Sequence, residues 1–148
     1  RGVGGGMLSQ AGGNGDGRMV SEESRAAVGR PPFEMSVLVD SPDEVRRAAR
    51  EQLRQGASLI KMAVSGGVAS PRDRIDSVQF TEEEVHAAVV EAGHAGTYVT
   101  VHAYHPRAIA MAIRAGATCV EHATLLDVQT AHMMRDAGTS PPPTPGPY

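Results

Sequence analysis

Lys61 is the one lysine in a 148-residue chain that carries thirteen arginines. It stands in Ala57-Ser58-Leu59-Ile60-Lys61-Met62-Ala63-Val64, a run otherwise apolar apart from one serine, which leads into Ser65-Gly66-Gly67. Arginine stays protonated at any workable pH. A buried lysine can lose its proton and become a nucleophile, or react with carbon dioxide to give a metal-bridging carbamate. The competing reading is a lysine whose stem packs on apolar neighbours while its head reaches water. His102 and His122 close two further runs of strand-like residues, Tyr98-Val99-Thr100-Val101 and Thr118-Cys119-Val120-Glu121. Neutral imidazole binds zinc or a similar ion. The two oxygens of a carbamate suit a pair of ions roughly 3.5–4 Å apart, where bound water ionises near neutral pH. Taken singly, each histidine reads as a hydrogen-bonded core residue. Taken in order with Lys61, the three read as a binuclear hydrolytic site.

The elements that must position them alternate. Ser41-Pro42-Asp43-Glu44 places an N-cap serine, a first-turn proline and a glutamate at N3, and predicts a helix to about Gln55, before Gly56. Thr81-Glu82-Glu83-Glu84 repeats the capping signal, with Val85, Ala88, Val89 and Ala92 as a buried stripe and Gly96 as the stop. A third helix is expected from Pro106 to Ala115, ending at Gly116, and a fourth from the N-cap Asp127 to Ala137. Met35 to Asp40 is a further candidate strand, with Met35, Val37 and Val39 on one face. Strands separated by crossover helices imply a parallel α/β sheet, which gathers chemistry at the C-terminal ends of its strands. A full (β/α)8 barrel takes about 250 residues, so three or four of its units fit here. The alternative is a small doubly wound domain.

The formal net charge is −3, with no long basic run, which argues against nucleic acid or an anionic membrane as partner. No apolar stretch approaches the roughly 20 residues of a membrane span. Cys119 is the single cysteine, so an internal disulfide is excluded; its apolar neighbours suggest a small buried residue in a reducing, cytoplasmic compartment. Eight of seventeen glycines precede Arg18, and residues 140–148 hold five of ten prolines. The expected organisation is one unit over residues 1–139 and a disordered proline-rich tail over 140–148. Truncation is the expected origin of the start, and a natural tail or a shifted reading frame that of the end.

Several of these segments together resemble the metal-dependent amidohydrolases of the imidazolonepropionase and Xaa-Pro dipeptidase (prolidase) type. They are Gly56 to Met62, Ser65-Gly66-Gly67-Val68-Ala69-Ser70-Pro71, Asp76 to Glu84, Val101-His102-Ala103-Tyr104 and Val120-Glu121-His122-Ala123. The likeness extends over about residues 7 to 139. It implies a partial TIM-type barrel, about strands 3 to 6 only. Lys61, at the end of the fourth strand, would be carboxylated and bridge two divalent metals, read as zinc; His102 and His122 would be ligands from the fifth and sixth strands. Tyr104 would face the substrate. The implied activity is hydrolysis of an amide or peptide bond in a dipeptide or N-acyl amino acid, with a small molecule as partner and homo-oligomerisation allowed.

Departures from the family accompany the likeness. The family's His-x-His pair on the first strand and its aspartate on the eighth have no counterpart here, so the general base stays unassigned. Asn14 stands in Ser9 to Asp16 where the family usually has histidine. Among the other residues, His105 reads as a loop residue, and His86, His94 and His132 as helix-surface positions. Ser65-Gly66-Gly67 reads as a sharp turn beside the site rather than a phosphate cradle. Glu82, Glu83 and Glu84 read as a favourable helix N-terminus. Two rival readings remain: a Schiff-base lyase using Lys61, and a catalytically inert incomplete barrel with exposed sheet edges.

Overall fold

The computed structural model describes residues 5–17, 36–67 and 73–139. Five short strands, β1 (Met7–Ser9), β2 (Ser36–Leu38), β3 (Ile60–Ala63), β4 (Val99–Ala103) and β5 (Cys119–His122), form one sheet in the order β2-β1-β3-β4-β5. Every pairing is parallel. Among the described residues, four helices join or follow them: α1 (Pro42–Arg54), α2 (Glu82–His94), α3 (Pro106–Ala115) and α4 (Val128–Asp136). Met35, Val68 to Pro71 and the proline-rich stretch 140–148 lie outside the described residues. No helix among the described residues is long and apolar enough to cross a membrane.

The helices begin where the chain offers side-chain acceptors to free N–H groups. Ser41 accepts from Glu44 N–H, and Glu44 reaches back to the Asp40 N–H at 2.7 Å, one residue further than the reciprocal pattern requires. The complete capping box forms at Thr81: Thr81 Oγ1 accepts from Glu84 N–H, and Glu84 Oε2 accepts from Thr81 N–H. Asp127 caps α4, and His105, expected in a loop, caps α3 through a ring nitrogen that accepts from Arg107 N–H. Gly116 ends α3 with φ +101, in the left-handed region that favours glycine.

Packing follows from strand alternation. Leu8, Ile60, Met62, Val99, Val101 and Val120 are all at most 1 % exposed and belong to one apolar core with Val45, Val85, Ala88 and Ile109 of the helices. Successive helices pack side by side, α1 on α2, α2 on α3 and α3 on α4. Arg50 clamps Glu91 through two parallel hydrogen bonds of 2.9 and 2.8 Å, joining α1 to α2. With one face committed to the helices, the alternate positions Lys61, Thr100, His102, Cys119 and Glu121 share the other. The register sets Lys61 beside Thr100 and Cys119, and Ala63 beside His102 and Glu121. Cys119 is half-buried there rather than fully enclosed. β1 escapes the sequence reading, being three residues long beside glycines; it sits between β2 and β3, and pairs with β3 through Leu8 and Met62.

Thr81→Ala removes the capping acceptor of α2 while leaving the core intact. We expect it to lower unfolding stability by about 1 kcal/mol. Urea denaturation checks this, and an unchanged midpoint would show that the cap adds nothing.

Candidate active site

The C-terminal edge of β3, β4 and β5 collects the chemically capable side chains. Lys61 is about one-third exposed, and its Nζ donates to Glu121 Oε2 at 2.7 Å. Thr100 Oγ1 donates to the other carboxylate oxygen at 3.3 Å. Glu121 therefore pairs with the lysine from the next strand but one. The sequence reading passes over this glutamate. Its signal is positional: an acid between Val120 and His122 on a half-buried strand needs a partner, and alternation puts it on the Lys61 face.

His102 lies deeper, at 8 % exposure. Its Nε2 is 3.2 Å from Asn14 Nδ2. A further hydrogen bond joins the ring to the Gly66 backbone. With the Asn14 amide donating to Nε2, the proton is assigned to Nδ1. Burial, followed by the positive potential of His122 and Lys61, pushes the imidazole down to about 4. His102 is thus neutral at physiological pH, the form that ligates metal.

Alternation alone would turn His122 to the helix side, since Glu121 points to the site. The backbone corrects this. His122 and Ala123 take φ of +75 and +48, in the left-handed region, where a non-glycine residue costs roughly 1 kcal/mol or more. The His122 ring centroid then lies 4.7 Å from that of His102, and the Tyr104 ring stacks on His122 at 4.9 Å and 18°. Tyr104 also meets His102 edge-on at 5.0 Å. Buried Ser65 fixes the entry to Tyr104, accepting its N–H at 3.0 Å and donating to the Gly66 carbonyl. Gly66 and Gly67 are demanded by close approach: an added Cβ would fall 1.9 Å from Arg74 O and 2.2 Å from Asn14 Oδ1.

His102, His122 and Tyr104 thus form one aromatic cluster, with Lys61 on the same sheet face but paired to Glu121. Exposed His86, His94 and His132 stay apart on α2 and α4. The donor set fits a cation in part. Two imidazoles converge, yet no three His, Cys, Asp or Glu side chains among the described residues gather closely enough to hold an ion.

The refusal of His102 to protonate gives a pH signature. Between about 6.5 and about 4 the unfolded chain takes up a proton that the folded chain does not. The stability this group contributes is therefore complete above about 6.5 and is lost as pH falls through about 4. Denaturation midpoints measured stepwise over that window should fall less in His102→Gln than in the unaltered chain; equal slopes would contradict the assignment.

The profile of the amidohydrolase family matches residues 5–145. Ochratoxinase of Aspergillus niger is 38% identical over 101 residues, which are 68% of this chain and 21% of that protein. A crystal structure of a prolidase complexed with N-methylphosphonate-L-proline superposes with a TM-score of 0.81 at 41% identity, covering 93% of this chain and 34% of that one. A Xaa-Pro dipeptidase with methionine bound in its active site gives a TM-score of 0.76 at 32% identity, over 95% and 34%. The chain spans about a fifth of the curated relative's length and about a third of each solved structure. The order β2-β1-β3-β4-β5 is that of one doubly wound arrangement and departs at β1 and β2 from the consecutive order of a (β/α)8 barrel; the superpositions, over about a third of those structures, identify the chain as part of such a barrel. The chain belongs to the amidohydrolase family.

Proposed function

We propose that the chain is part of a metal-dependent hydrolase of amide or peptide bonds. The observation that carries this is the left-handed turn at His122, which brings its ring to His102 against the alternation of the strand. Strain of that kind at a strand end, aimed at a second imidazole, suits a shared ligand. His102 and His122 would hold divalent metal, read as two zinc ions, with Lys61 as a bridging carbamate. A bound divalent ion supplies Lewis acidity, to water and to the scissile carbonyl alike.

The chain's own residues prepare the site. His102 stays neutral because it is buried, and its hydrogen bond to Gly66 orients the ring. Lys61 must leave Glu121 before it reacts with carbon dioxide. Carbamate formation releases two protons, one from the ammonium and one from the carbamic acid. Tyr104, stacked on His122, stands where a substrate beside the metal would be met. The residue that accepts the proton of water is not assigned within this chain. On this reading the 148 residues alone are inactive, with residues 140–148 a tail outside the catalytic unit, and hydrolysis belongs to the longer enzyme.

The substrate class we favour is a dipeptide or N-acyl amino acid. Support comes from the prolidase and Xaa-Pro dipeptidase among the similar structures. Zinc content after dialysis tests the assignment: Lys61→Ala, His102→Ala and His122→Ala should each retain markedly less metal than the unaltered chain. Undiminished metal in all three variants would refute it.

A further inference from the structure

Two loops grip one another beside His102. The segment after β1 and the segment before α2 exchange side-chain amides. Gln10 Oε1 accepts the Phe80 N–H at 2.6 Å, and Gln79 Oε1 accepts the Asn14 N–H at 2.9 Å. The donor end of Gln79 is engaged as well, giving hydrogen bonds to Asp73 Oδ1 at 2.6 Å and to Ser77 Oγ at 3.2 Å. The orientation of the Gln79 amide is therefore fixed. Reversal would set its NH2 against a backbone N–H and its oxygen against a carboxylate. Gln79 is 2 % exposed and Asp73 5 %, so none of this is a surface contact.

The fit around Asn14 is close on two sides. A Cβ added to Gly13 would come within 2.6 Å of Gln79 Oε1, and one added to Gly67 within 2.2 Å of Asn14 Oδ1. Phe80, the residue bonded by Gln10, sits at φ +66. A bulky residue in that region marks a backbone held by its surroundings. The product of all these contacts is one placement: the Asn14 amide against Nε2 of His102.

We propose that Gln79 is a positioning residue that holds the Asn14 amide on His102, so that a divalent ion reaches this imidazole only by displacing that amide. The inference rests on reading His102 as a metal ligand. Nε2 has a single lone pair; a donor from Asn14 and a cation compete for it. Gln10 supports the same loop from the other side, and Asp73 anchors Gln79. Affinity for the ion is thereby set partly by residues that never touch it.

The test is cobalt(II) titration of the 148-residue chain, read from the visible absorption of the bound ion, with histidine-labelled protein for nitrogen NMR after chelator treatment. Loss of one hydrogen bond that the ion must break should tighten cobalt binding about fivefold in Asn14→Ala. Gln79→Ala, and more weakly Gln10→Ala, should tighten it in the same direction. Adding Gln79→Ala to Asn14→Ala should change nothing further, because the two act through one contact. A merely structural role for Gln79 would instead alter affinity by the same factor with or without Asn14, and would overturn the proposal. In the chelator-treated protein, Asn14→Ala and Gln79→Ala should move the His102 Nε2 resonance alike. A shift in the first without one in the second would also overturn it. Should the unaltered chain take up no cobalt while both substitutions move that resonance alike, the metal reading fails and the positioning of Asn14 by Gln79 stands.

Discussion

Alternation of side chains along parallel strands is the constraint from which the arrangement follows. Helices cover one face, so Leu8, Met62, Val101 and Val120 must be apolar and the intervening positions need not be. Those intervening positions carry Lys61, Thr100, His102 and Glu121. Register then fixes which of them are neighbours: His102 beside Glu121, Lys61 beside Thr100. A slip of one residue in any pairing would exchange core and site.

The elements most readable from sequence are those decided locally. Ser41, Thr81 and Asp127 cap the helices they precede, and Gly116 ends its helix, because each requirement is met within a turn of the chain. The positions of Lys61, His102 and Tyr104 are readable for the same reason, since two-residue periodicity assigns their face. What escapes is non-local or breaks the period. β1 is stabilised by neighbours on both sides rather than by its own three residues. Glu121 pairs with a lysine sixty positions earlier. His122 reaches the site only through a left-handed backbone that no residue type announces there.

Two kinds of electrostatic environment lie side by side. Lys61 and Glu121 are partly exposed and satisfy each other as opposite charges. His102 is buried and kept neutral. A carbamate on Lys61 would reverse the charge at that position and leave Glu121 facing an anion, so the glutamate must turn away or find another cation. Whatever ion completes the cluster must therefore reorganise its lysine side more than its histidine side.

The arginines explain why the lone lysine is conspicuous. Arg50 grips Glu91 with a planar fork, and Arg54, Arg74 and Arg114 pair with Glu51, Asp76 and Glu82. A single ammonium cannot reproduce the two-pronged contact. With structural cations supplied as guanidinium groups, Lys61 is the sole side-chain amine of the polypeptide. A fluorophore or crosslinker that reacts with amines therefore has one side-chain target, and that target lies on the same sheet face as the histidines.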